Sequence, residues 1–138
     1  MTESTLPKPK KSVALSGVAA GNTELCTVGR TGNDLHYRGY DIWDLAENCE
    51  FEEVAHLLVH GKLPNQAELT NYKRKLKALR GLPALVQEAL MLIPANAHPM
   101  DVLRTGCSML GTVLPERESQ PMNEAKDIAD RLLASFPS

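Results

Sequence analysis

From Tyr40 to the C-terminus the apolar residues recur at helical spacing, whereas the stretch before Tyr40 shows short, strand-like runs. Leu25–Val28 and Leu35–Arg38 flank Arg30-Thr-Gly-Asn-Asp34, where Gly32 and Asn33 tolerate the positive φ of a hairpin loop. Asp41 or Asp44 is placed to cap a short helix running to Ala46. Phe51, Val54, Ala55 and Leu58 then form one amphipathic stripe, stopped by Gly61 with Pro64 beyond. Asn65 and Glu68 have the spacing of a capping box and open a helix with Leu69, Tyr72, Leu76 and Leu79 on one face. Gly81 suits the left-handed position after it. Pro83 fits the first position of a helix over 83–93, closed by Pro94.

The segment 99–114 carries two apolar stripes, Met100, Leu103, Cys107, Leu110, Leu114 and Val102, Gly106, Met109, Val113. The pattern predicts a helix buried on two sides. Gly106 and Gly111 each lower helix propensity by about 1 kcal/mol relative to alanine, a cost expected where another helix approaches closely. After a loop over 116–123, a last helix starts near Asn123 and aligns Ala125, Ile128, Ala129, Leu132 and Phe136. This stripe is still apolar at Pro137-Ser138, whereas domains ordinarily finish in a polar or docked element. The expectation is a piece of something longer, mainly α: a flexible tail over 1–12, then one incomplete domain over 13–138 with a small β-hairpin and about six helices.

A hydrophobic content of 43% is enough for a core. The net charge of -2, from 15 Lys+Arg against 17 Asp+Glu, lacks the basic excess of a nucleic-acid partner. Cys26, Cys49 and Cys107 are odd in number and far apart, which fits a reducing compartment. No signal-peptide core follows Lys10-Lys11, and no run reaches the roughly 20 apolar residues of a membrane span. The expected location is the cytoplasm.

Candidate chemistry is sparse. His56 and His60 stand four apart on one helix, but Leu57 replaces the glutamate of HExxH and no third ligand is evident, so no metal site is assigned. Lys73, Arg74, Lys75, Lys77 and Arg80 form the one concentrated cationic patch. Guanidinium groups suit bidentate contact with carboxylate or phosphate, which makes Arg74 and Arg80 the candidate substrate contacts. The alternative is a solvated face near a helix C-terminus that welcomes positive charge. His36, Arg38 and Asp41 surround the Tyr37-Arg-Gly-Tyr40 turn, either as a binding edge or as a hydrogen-bonded corner. His98, before Pro99, is expected to cap or brace the next helix, because no nucleophile or carboxylate partner can be placed beside it.

Longer strings carry a resemblance. Lys10-Lys-Ser-Val-Ala-Leu-Ser-Gly17, Cys26-Thr-Val-Gly29 and Gly32-Asn-Asp-Leu-His-Tyr-Arg-Gly-Tyr-Asp-Ile42 resemble the opening of the 2-methylcitrate synthases. Phe51-Glu-Glu-Val-Ala-His-Leu-Leu-Val-His-Gly-Lys-Leu-Pro64, Leu79-Arg-Gly-Leu-Pro83, His98-Pro-Met-Asp-Val-Leu-Arg-Thr105 and Ala125-Lys-Asp-Ile-Ala-Asp-Arg-Leu132 continue it in order. The Tyr-Arg-Gly-Tyr and His-Pro-Met-Asp strings are shared with the wider citrate synthase superfamily. The resemblance implies the opening part of the large domain of a citrate synthase-like fold. It implies an enzyme that condenses propionyl-CoA with oxaloacetate and water to 2-methylcitrate and CoA in propionate catabolism. The CoA thioester is then substrate, and no cofactor is implied.

In that family an aspartate and two histidines do the chemistry, and they belong to later motifs that nothing here matches. No catalytic role is therefore given to His36, His56, His60 or His98, and the chain alone is expected to be inactive. The resemblance further implies a homodimer through helices 99–114 and 123–138. A stand-alone helical interaction or oligomerisation module without catalysis is the alternative. A helix-turn-helix regulator is disfavoured by the acidic balance.

Overall fold

The structure is a computed structural model that describes residues 21–29, 34–119 and 121–138. The expected tail over 1–12 and the loop residues Gly32 and Asn33 lie outside them. Strands β1 (Cys26–Val28) and β2 (Leu35–Tyr37) pair antiparallel as the expected hairpin, with Thr27 opposite His36. A third strand, β3 (Tyr40–Asp41), extends the sheet in the order β1-β2-β3. The helical pattern read from Tyr40 onward thus begins two residues late. The cause is the two-residue turn between β2 and β3, where Arg38 has φ 47 and Gly39 φ 89. Two consecutive positive φ values match the twist of paired strands, and a non-glycine residue rarely adopts one.

Six helices follow among the described residues: α1 (Ile42–Asn48), α2 (Phe51–His60), α3 (Gln66–Leu79), α4 (Ala84–Met91), α5 (Pro99–Val113) and α6 (Met122–Ser135). Their ends obey local chemistry. Asp41, not Asp44, caps α1, its Oδ1 accepting from the Trp43 N–H at 2.8 Å. Asn65 and Glu68 form the reciprocal capping box of α3, both hydrogen bonds at 2.9 Å. His98 caps α5, its Nδ1 accepting from the Met100 N–H. Gly61 ends α2 with φ 94, where its N–H reaches the Leu57 carbonyl. Pro83 is the N-cap of α4 rather than its first helical residue, and α4 stops at Met91, two residues early.

Helix α6 packs on α3 and touches α2, while α5 packs mainly on α4. Ala55, Tyr72, Leu76 and Ala134 form the core cluster, with Leu79 and Leu133 packed against it. On α2 the expected stripe is displaced: Leu57 is fully buried, whereas Phe51 is 66% exposed. The expected face of α3 is borne out, with Leu69, Tyr72 and Leu76 buried.

Two readings of the C-terminal helices need correction. The inward face of α5 combines the stripe of Val102, Gly106, Met109 and Val113 with Leu110 of the other stripe, whose Met100, Leu103, Cys107 and Leu114 are exposed. The helix is buried on one side, where α4 is its main neighbour. Gly106 does allow close approach, since a Cβ there would meet Leu90 Cδ2 at 3.4 Å; Gly111 faces open space. In α6 the expected stripe is not the innermost face, since its Ile128, Ala129 and Leu132 are only half-buried. Asp130, Ala134 and Ser135 are buried, while Ala125 is exposed and Phe136 is 47% exposed.

Candidate functional site

The strongest polar constellation joins α2, α3 and α6 at Asp130, which is 0% exposed. The helical register sets Asp130 one turn before Ala134, on the face that α6 turns toward α3. Tyr72 and Lys75 stand three apart on α3, so both reach the same neighbour. Tyr72 Oη donates to Asp130 Oδ1 at 2.7 Å, and Lys75 Nζ donates to Oδ2 at 2.6 Å. His60 Nε2, in the last turn of α2, lies 3.1 Å from both carboxylate oxygens and donates there. Lys75 also binds Asp127 at 2.6 Å. No buried side-chain polar atom among the described residues lacks a partner, as burial of charge demands.

Electrostatics follow the geometry. Burial, the hydrogen bond to Asp130 and then its charge push the Tyr72 phenol far above the ordinary tyrosine range. Partial burial works against the charge on Lys75, yet its hydrogen bonds to Asp127 and Asp130 outweigh this and raise its pKa. The hydrogen bond from Lys75 and its charge hold Asp127 low. A raised folded pKa contributes stability below the unfolded value and loses it as pH climbs. Tyr72 and Lys75 therefore support the fold up to pH of about 10 and cease to do so in strong alkali. In a spectrophotometric titration at alkaline pH, wild type minus Tyr72→Phe is expected to show a phenolate that appears only together with unfolding. A Tyr72 signal that titrates reversibly in the folded chain contradicts this assignment.

His56 and His60 do come together, with ring centroids 4.7 Å apart and Tyr72 edge-on to both. Their nitrogens have other work: His56 Nδ1 donates to the Lys62 carbonyl at 2.8 Å. The cationic patch on α3 is divided among partners. Lys73 pairs with Glu50, Lys75 with the two aspartates, and Arg74 Nη1 with Asn71 Oδ1 at 3.2 Å. Arg74 and Arg80 are both exposed, Arg80 as the C-cap of α3. The His36–Arg38–Asp41 group forms a hydrogen-bonded corner. Arg38 donates from Nε and Nη2 to the Leu58 carbonyl in the last turn of α2, and His36 Nδ1 sits 2.9 Å from Asp34.

The second feature is apolar. A cleft of about 480 Å³ separates α5 from α6, lined by Leu110, Leu114, Ile128 and Leu132, with Glu116, Glu124, Asp127 and Arg131 also on its wall. A neighbouring cleft of about 440 Å³ is lined by Leu90, Val102, Leu103, Gly106 and Phe136. Two adjacent helices thus present apolar stripes with charges of both signs beside them. Sequence reading found the stripes but missed Asp130, which stood only as one letter of the Ala125–Leu132 string.

The sheet, the six helices and the Tyr-Arg-Gly-Tyr and His-Pro-Met-Asp segments together match a known scaffold. The family model described as citrate synthase, C-terminal domain, matches residues 14–138. The chain belongs to the citrate synthase family. It is 56% identical over 131 residues to 2-methylcitrate synthase of Shewanella oneidensis, a match covering 95% of this chain and 34% of that protein. The crystal structure of citrate synthase from Thermotoga maritima superposes with a TM-score of 0.76 at 32% identity, covering 91% of this chain and 32% of that one. A ternary complex of citrate synthase from Thermoplasma acidophilum with carboxymethyl coenzyme A and oxaloacetate shares the fold, with a TM-score of 0.75 at 21% identity and coverage of 86% and 31%. The chain spans about a third of the length of the relatives it matches. Among the described residues, no helix is long and apolar enough to cross a membrane.

Proposed function

We propose that these residues form the opening third of a 2-methylcitrate synthase, a cytoplasmic enzyme that condenses propionyl-CoA with oxaloacetate and water to 2-methylcitrate and CoA. The observation that carries this reading is the 56% identity to a 2-methylcitrate synthase across 95% of the chain. The odd number and wide spacing of Cys26, Cys49 and Cys107 favour a reducing compartment. The segment's part is scaffold and assembly. We assign it no group for the condensation itself, because nothing in its sequence matches the motifs that carry the family's aspartate and histidines. Arg74 and Arg80 are the proposed contacts for substrate carboxylate or phosphate in the whole enzyme.

The partner in assembly is a second copy of the chain. The stripes of α5 and α6 flank one cleft, and its wall carries Arg131 beside Glu116, Glu124 and Asp127. A twofold interface requires each patch to complement itself, and a patch with an apolar centre and both charge signs does so.

A chimera tests the function. Residues 21–138 replace the matching segment of the Shewanella oneidensis 2-methylcitrate synthase, and CoA release is measured with propionyl-CoA and oxaloacetate. The expected chimera retains condensation, and Arg74→Ala with Arg80→Ala in it raises KM more than it lowers kcat. A chimera that folds and associates but releases no CoA overturns the assignment.

A further inference from the structure

Helix α6 has two dissimilar faces, and the less apolar one is turned inward. Asp130, Leu133 and Ala134 face α2 and α3, while Ile128, Leu132 and Phe136 line the clefts on the other side. Burial of apolar area alone favours the opposite rotation, because an isoleucine, a leucine and a phenylalanine offer more area than Leu133 and Ala134. What opposes it is the saturation of Asp130 by His60, Tyr72 and Lys75. Rotating α6 away strips Tyr72 and Lys75 of a buried acceptor and leaves Asp130 to find new donors. A buried polar group that excludes competing arrangements is the best-attested use of such networks.

We propose that Asp130 is a positioning residue whose bonds to His60, Tyr72 and Lys75 fix the rotation of α6, so that the Ile128–Leu132–Phe136 stripe is presented to a second copy of the chain. This rests on the reading above that the α5 and α6 stripes meet a second copy. Its physical content is separable from that reading, because it concerns which face of α6 is inside.

The test replaces the whole knot by apolar groups, so that no orphaned charge unfolds the chain. His60→Ala, Tyr72→Phe, Lys75→Ala and Asp130→Ala are combined, so that the inner face gains no apolar bulk over the outer one, and Ala134→Cys is added as a probe of the inner face, which is 4% exposed at this position. Thiol labelling is followed by peptide mapping so that Cys26, Cys49 and Cys107 are counted separately. With helical ellipticity retained, the thiol at position 134 is expected to react roughly tenfold or more faster than in the otherwise unchanged chain, and self-association to weaken roughly tenfold. Equal protection of that thiol in both backgrounds overturns the orienting role. Should the combined variant not fold, Asp130→Asn with the same probe is expected to label several-fold faster, and unchanged labelling again overturns the proposal. A chain of unaltered sequence that stays monomeric at high concentration defeats the second-copy reading instead, and the labelling contrast still decides the rotation.

Discussion

Asp130→Ala is expected to cost about 1–3 kcal/mol of folding stability, the range for leaving a buried donor such as the Tyr72 hydroxyl without its acceptor. The loss has identifiable parts. The Tyr72 hydroxyl and the Lys75 ammonium lose their common acceptor, the His60 imidazole loses its carboxylate, and a gap opens beside Ala134. Asp130→Asn keeps an acceptor for Tyr72 and the shape of the side chain, so its cost is smaller. Urea unfolding followed by circular dichroism measures both. A loss below about 1 kcal/mol for the alanine variant is the size of an exposed ion pair and contradicts the central place given to this carboxylate.

Leu57→Ala is expected to lose about 2–5 kcal/mol, the range for truncating a buried leucine to leave a cavity. Leu57 is 0% exposed on α2, a helix held from the sheet side by Arg38 and from α6 by His60. Those polar ties limit how far α2 can collapse into the space vacated, which favours the upper part of the range. Phe51→Ala on the same helix serves as the control. Phe51 is 66% exposed, so its truncation is expected to change stability by about 0.5 kcal/mol or less. Comparable losses for the two contradict the burial pattern described for α2.

The local signals in the sequence were the legible ones. Asp41, the Asn65–Glu68 box, Gly61 and His98 each act within a few residues, and each acts in the structure at the place its spacing implies. The third strand was hidden because it depends on Arg38 adopting a positive φ, which nothing in its residue type announces. The inner face of α6 was hidden for a different reason. Periodicity ranks faces by hydrophobicity, and here the inner face is set by a carboxylate whose partners lie 55 to 70 residues earlier in the chain. The double stripe on α5 predicted burial on two sides, and the structure buries one. Helix α4 is its main neighbour, so most of its second stripe, apart from Leu110, stands exposed beside the cleft shared with α6. Family resemblance through short strings identified the scaffold, because those strings include the turn at Arg38–Gly39 and the cap at His98 that build it.

The most direct measurement is CoA release by the 138-residue chain supplied with propionyl-CoA and oxaloacetate, followed with a thiol reagent after correction for its own cysteines. A segment that contributes scaffold and assembly is predicted to release CoA no faster than the uncatalysed background, alone or at concentrations where it self-associates. Release at enzymatic rates, saturable in both substrates, contradicts that assignment and places catalytic groups within these residues.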